Sequence, residues 1–323
     1  MSEGTWNLAS EAMVAPGVKE RPLVFESCGE SVCGILSLPA TGVPQRAVVF
    51  THGWSGHRCG PAGLLTAIAR ALAFAGCACL RFDFRGRGES EGDGLHATLA
   101  TMSEDLRAAE TALRQETGLP KTTLFGMCSG GNIAIGSLKN LPATEALALL
   151  SVYPFSDGDS FGRDVHRVWH FLGVYLHKAC SPDTWKRVFR GEASIGRAFG
   201  VLLRPFLKRG ENRRHEEGDA PAKPTGKTAK ASAHESRLDA GKEPPKKYLT
   251  GLRKDLPALM IDGTGDPDAP AALQYFGSYV KEHSLPIRFE EIPGANHNYS
   301  SAAWRKQVLD FVVPFCTQKE LKA

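Results

Sequence analysis

The chain has 323 residues, enough for one core of about 200–250 residues plus an insertion, or for two small domains. Its 39 Lys and Arg against 35 Asp and Glu leave a small positive excess concentrated in 201–250; with no nucleic-acid motif beside it, that stretch reads as a solvated tether and nucleic acid is not expected as a partner. Residues 1–16 lack a basic flank ahead of an apolar stretch, and no run of ~18 apolar residues occurs, so no integral membrane segment is expected and the reading is a soluble cytoplasmic protein.

Short β-branched or apolar runs alternate with segments of helical period, the order expected of βα units in a mostly parallel sheet. Strands are predicted at 21–26 and 32–38, then a buried central strand over 47–51 that ends at His52-Gly53. A helix with proline at its start is predicted over 61–75, closed by Gly76 ahead of a strand at 77–82. A loop rich in Gly and Arg follows. Leu106, Ala109 and Leu113 at helical spacing predict a helix over 103–116, stopped by Gly118 and Pro120. The short strand 122–125 then feeds into Gly126, and its helix runs over 130–140. A strand at 146–152 comes next, and the late units are a strand at 258–262, a helix at 271–282, a strand at 287–292 and a helix at 302–315.

Between 153 and 256 the alternation fails. The expected organisation is an N-terminal tail over 1–19, an α/β core over 20–155 and 256–318, a helical lid over 156–207 rich in Trp, Phe, Val and Arg, and a flexible charged tether over 208–247 that is poor in large apolar residues. Eight cysteines fall without CxxC pairs and mostly inside apolar runs, as buried thiols in a reducing compartment do. No pair of cysteines or histidines has zinc-like spacing, so neither a metal nor a cofactor is expected.

The chemistry centres on Gly126-Met127-Cys128-Ser129-Gly130-Gly131, set between a strand and a helix. A nucleophile on a sharp strand-to-helix turn needs small residues two before and two after it, because neighbouring chains approach its backbone closely. That spacing selects Cys128; Ser129 fits worse, since Met127 then takes the position two before it. The same pattern also suits a buried structural cysteine beside a tight glycine turn. A nucleophile needs a base, and in this architecture the order is nucleophile, acid, histidine, each beyond a strand. Asp266 lies just beyond the strand at 258–262 and His297 just beyond 287–292, with Asp268 and Asp262 as rivals to the acid and His52, His57 and His283 as rivals to the histidine. The backbone N–H groups of Ser129 and Trp54 are the candidate donors to an oxyanion.

Together these residues resemble the α/β-hydrolase superfamily, especially its dienelactone hydrolase-like and serine aminopeptidase-like members. His52-Gly53-Trp54 matches the H-G-x oxyanion loop, the run from Asp83 to Ser90 matches D-x-R-G-x-G-x-S, and Gly263 to Asp266 and Gly294 to His297 match the acid and histidine loops. The resemblance covers 20–155 and 256–315 and implies an α/β-hydrolase fold: a mostly parallel central sheet of about eight strands flanked by helices, with a helical lid insertion. It implies a structural turn at 83–90, with contact from Arg85 and Arg87 to an anionic substrate as the alternative. Cys128 stands where most members have Ser. Dienelactone hydrolases have Cys there, and so do polyhydroxyalkanoate synthases, whose G-x-C-x-G-G box matches 126–131. The expected function is an acyl hydrolase, an esterase, thioesterase or lactone hydrolase, acting on a small-molecule acyl substrate through a Cys128-His297-Asp266 triad and a covalent acyl-enzyme. An acyltransferase resembling the synthases and a non-catalytic hydrolase-fold binding protein are the alternatives. No motif speaks to oligomeric state.

Overall fold

A computed structural model of the chain describes residues 10–54, 56–94, 97–153 and 248–318. Its elements are β1 (Ala12–Ala15), β2 (Val18–Ser27), β3 (Glu30–Pro39), β4 (Arg46–Thr51), α1 (Leu64–Phe74), β5 (Cys77–Phe82), α2 (Leu99–Thr117), β6 (Thr122–Met127), α3 (Ser129–Ser137), β7 (Thr144–Leu150), β8 (Ala258–Gly263), α4 (Ala269–His283), β9 (Ile287–Ile292) and α5 (Ala302–Thr317). The expected lid, 156–207, and tether, 208–247, lie outside the described residues.

The strands form one nine-stranded sheet in the order β1-β2-β3-β5-β4-β6-β7-β8-β9. Pairing is antiparallel from β1 through β3 to β5 and parallel from β5 through β4 to β9. Side chains alternate across a strand, so a run such as Ala47-Val48-Val49-Phe50 is apolar throughout only if both faces are covered. They are. Val48 and Phe50 pack with Leu65, Ile68 and Leu72 of α1 and Val308 and Val312 of α5. Ala47 and Val49 belong to the opposite layer, with Leu106 and Leu113 of α2, Ile133 of α3 and Phe276 of α4.

The ninth strand is β1, inside the segment 1–19 read as a tail. It is four residues long with its first two exposed and pairs with β2 across Gly17, whose φ is 76°. So short a run carries no alternation to recognise. Elsewhere the differences have local causes. Residues 61–63 form a separate 3-10 turn, because Ala62 and Gly63 adopt φ of 47° and 75° and interrupt helical continuity ahead of α1. Helix α2 begins four residues before the expected 103, at a capping box in which Thr98 and Thr101 each accept the other's backbone N–H. The familiar signature of that box has Glu or Gln at the later position; here threonine fills it. Strand β7 ends at Leu150 rather than 152, since Ser151 has a φ of 48°.

The connection from β4 leads to β5 on one side, and that from β6 leads to β7 on the other. Thr51 and Gly126 are register partners at the carboxyl ends of the adjoining strands β4 and β6. A crevice outside those strand ends, where the winding reverses, is where α/β sheets hold ligands. Among the described residues, no helix is long and apolar enough to cross a membrane.

Candidate active site

Cys128 sits alone between the last residue of β6 and the first of α3, with φ 57° and ψ −131°. Non-glycine residues rarely adopt such a backbone, and strain of this kind persists only when the surroundings hold it. The Cys128 N–H donates to Leu150 O at 2.9 Å, and its carbonyl accepts from Gly131 N–H at 3.1 Å. The three glycines are there because other chains press on the turn. A Cβ on Gly126 would strike Gly131, one on Gly131 would strike Val152, and one on Gly130 would strike the carbonyl oxygens of Thr51 and His52. Those oxygens are backbone at the end of β4 and cannot swing aside. Gly130→Ala is expected to destabilise the protein by about 2–3 kcal/mol, read as a lowered urea midpoint; an unchanged midpoint would mean that the turn has room the structure denies it.

His297 Nδ1 lies 2.6 Å from Asp266 Oδ2, and the ring is also hydrogen-bonded to Cys128. With Nδ1–H given to a carboxylate that can only accept, Nε2 is the nitrogen left for the thiol. Burial opposes a charge on His297, but its hydrogen bonds to Asp266 and Cys128 and their charges outweigh burial and lift the imidazole to about 10. Asp266 is buried, and its other oxygen, Oδ1, accepts the Asp268 N–H at 3.1 Å. The acid and histidine loops are laced together, Gly265 N–H to Ala295 O at 2.8 Å and Gly294 N–H to Thr264 Oγ1 at 2.7 Å. A Cβ on Gly263 or Gly265 would collide with that neighbouring loop. The glycines of the acid motif are thus explained by the approach that brings Asp266 to His297, and Gly294 of the histidine motif by its φ of 70°.

The rival residues are used otherwise. Asp268 is the N-terminal cap residue of α4. His52 is buried, with Nδ1 at 2.8 Å from Gly53 O and its ring edge-on to Phe84, and burial pushes its pKa down. His57 accepts the Cys59 N–H, and His283 ends α4 against Tyr279 O at 3.0 Å. Asp262, at the end of β8, is 3% exposed; burial, reinforced by the Asp266 charge and opposed by His297, pushes it up to about 7. Its unfolded value is near 3.8, so between about pH 4 and 7 the folded protein holds a proton that the unfolded chain releases, and stability falls as pH rises through that window. Asp262→Asn is expected to be more stable than the parent at pH 8 by on the order of 1–3 kcal/mol, with a smaller gain at pH 5, when urea unfolding is compared at the two values. An equal gain at both would remove the titration from the explanation.

Gly53 brings the β4 loop against the turn: a Cβ placed on it would lie 3.5 Å from Cys128 Sγ and 3.7 Å from Ser129 Oγ. Trp54 N–H, one of the two expected oxyanion donors, donates to Ser129 Oγ at 2.6 Å. Sequence reasoning used Ser129 for its backbone alone and missed this side chain. It also missed Tyr299, a fully buried residue two beyond His297, whose hydroxyl accepts from Ser151 Oγ at 2.9 Å and donates to Ile261 O at 3.1 Å, pinning the histidine loop to the ends of β7 and β8. The turn at 83–90 is tied into the fold by its charges. Buried Asp83 is ion-paired with Arg58 and accepts the Arg58 N–H at 2.6 Å, while Arg85 pairs with buried Asp105 at 2.5 Å. Arg87 lies with its guanidinium 5.8 Å from the centre of the Trp54 ring. Among the described residues, no group of three His, Cys, Asp or Glu side chains is gathered so as to hold a metal ion.

The chain is similar to a quorum-quenching protein, AidA, of Acinetobacter baumannii (strain MDR-ZJ06), with 30% identity over 139 residues. That stretch is 42% of this chain and spans 44% of the relative's length. Among solved structures it resembles a carboxyl esterase from Bacillus coagulans, with a TM-score of 0.60 at 14% identity over 92% of this chain and 97% of the other. A dienelactone hydrolase from Anabaena variabilis gives a TM-score of 0.54 at 14% identity over 92% and 96%. At that identity both speak for the fold alone. The family model described as the alpha/beta hydrolase family matches residues 48–310, a span from β4 into α5 that takes in Trp54, Cys128, Ser129, Asp266 and His297, and the chain belongs to that family.

Proposed function

We propose that this hydrolase cleaves small esters, thioesters or lactones through an acyl group carried on Cys128. The observation that carries the reading is His297, hydrogen-bonded to Asp266 on one side and to Cys128, held in a strained turn, on the other. A histidine that keeps its proton to about 10 beside Cys128 is placed to supply the acid for the leaving group. The thiolate attacks the acyl carbonyl, the carbon–oxygen π pair moves onto oxygen, and the backbone N–H of Ser129 meets that oxyanion, with the Trp54 N–H standing behind Ser129 Oγ. The intermediate collapses as the bond to the leaving group breaks and His297 gives it the proton. The imidazole, now neutral, takes a proton from water, which attacks the thioester and releases the acid and the thiolate.

The test is turnover of p-nitrophenyl esters, thioesters and lactones with and without competing alcohols. The likeness to a quorum-quenching protein adds bacterial signal molecules to the panel. Free acid is the expected product. An ester of the added alcohol as the main product would move the reading to an acyltransferase, and no turnover of any substrate would move it to a binding protein.

A further inference from the structure

The amide of Trp54 has one proton, and in this structure it is given to Ser129 Oγ at 2.6 Å. An oxyanion beside Cys128 therefore meets Ser129 before it meets Trp54. The Ser129 side chain is 1% exposed, next in sequence to Cys128, and faces the same point of the β4 loop as Cys128 Sγ does. Its oxygen accepts from Trp54, which leaves its own proton, and among the described residues nothing accepts that proton. A buried hydroxyl with an unused donor, on the residue that follows Cys128, is costly unless something polar arrives to take it.

We propose that the Ser129 hydroxyl is itself a donor of the oxyanion hole, meeting the substrate oxygen directly while the Trp54 N–H behind it acts through it. This rests on the reading of Cys128 as nucleophile. As the thiolate adds to the carbonyl and the π pair moves to oxygen, the new charge is met by the Ser129 backbone N–H and by its O–H. No proton is transferred in this contact. Donation from Trp54 into the hydroxyl oxygen polarises the O–H and strengthens what it offers. When the carbonyl re-forms and the leaving group departs, the hydroxyl returns to a weaker bond with a neutral oxygen, so the interaction favours the transition state over the ground state. The side chain also sets Trp54 in place, which makes that residue a positioning one in this scheme.

The experiment compares the full chain with Ser129→Ala and Ser129→Thr by two rates. One is the acylation burst with p-nitrophenyl acetate. The other is alkylation of Cys128 by iodoacetamide, a displacement at saturated carbon that forms no oxyanion. Removing one oxyanion donor slows acylation by about 10²-fold or more; Ser129→Ala is expected to show such a loss with little change in KM, while its alkylation rate stays at the parent value. Ser129→Thr, which keeps the hydroxyl, is expected to recover most of the burst. Acylation in Ser129→Ala equal to or faster than the parent would overturn the proposal, because the hydroxyl would then only occupy the Trp54 amide. Equal slowing of acylation and alkylation would overturn it too, since the side chain would be shaping the turn rather than meeting oxygen. A parent enzyme whose burst survives complete alkylation of Cys128 would instead bring down the nucleophile assignment, and this proposal with it.

Discussion

Cys128→Ala is expected to lower kcat/KM on any ester the enzyme turns over by about 10⁴-fold or more, because nucleophile, base and orienting acid act as a unit and loss of the attacking atom forfeits the covalent route. The substitution removes one sulfur from a half-buried position and leaves the glycines that shape the turn untouched. Ala also relieves none of the crowding around Gly130, so urea unfolding is expected to change little. Activity and stability are thereby separated: a large kinetic loss with a parent-like midpoint identifies a chemical role, whereas a drop in both would fit a structural thiol. Cys128→Ser is the sharper companion. It keeps the geometry but replaces a thiolate with a hydroxyl that must be deprotonated in the step itself, so its rate is expected to fall well below the parent's. A parent-like rate for Cys128→Ala would end the assignment.

The second large effect belongs to Asp266→Asn. The carboxylate takes the Nδ1 proton of His297 at 2.6 Å and supplies charge that holds the imidazole near 10. An amide in its place removes the charge and can present its NH₂ to Nδ1, favouring the wrong tautomer, a change that costs about 10⁴-fold in a comparable triad. The pH profile carries the sharper information. With His297 raised above its free value of 6.5, the bound proton stabilises the fold fully below about pH 6.5, and that contribution is lost as pH rises through about 10. The proton that His297 gives to the leaving group is lost along the same limb, so parent kcat/KM is expected to hold through pH 8 and 9 and to fall near 10. In Asp266→Asn the residual activity is expected to fall at a lower pH, toward the free imidazole value. Identical alkaline limbs in the two proteins would show that Asp266 does not set the proton on His297.

The parts of this picture that sequence made legible are those written in local pattern. The bounds of β5 and β9 are those expected from the sequence, and the acid and histidine loops follow β8 and β9 in the order the chemistry requires. Glycines flanking Cys128 announced a crowded turn, and the chains that crowd it are Thr51, His52 and Val152. What could not be read is what depends on partners distant in sequence. Ser129 and Trp54 are 75 residues apart, and only the adjoining ends of β4 and β6 make the hydroxyl an acceptor for that amide. Tyr299 and Ser151 are separated by 148 residues, so no local pattern marks Tyr299 as the residue anchoring the histidine loop. Arg58, too, stands in an unremarked loop until the fold sets it on buried Asp83. The displaced start of α2 is a different case: its signal was in the sequence, in a threonine pair that does the work usually given to Ser and Glu.

Covalent chemistry on one named sulfur is the centre of the account, and trapping the intermediate tests it most directly. The full chain is mixed with an excess of an activated ester, quenched in acid within the first turnover, digested and mapped by mass spectrometry. The expected result is one acyl group on the peptide that contains Cys128, located on Cys128 by fragmentation, labile to hydroxylamine at neutral pH as a thioester is, and absent from His297→Ala or strongly reduced in it. An acyl group on Ser129, or turnover through which no acyl group is ever found on Cys128, would contradict it.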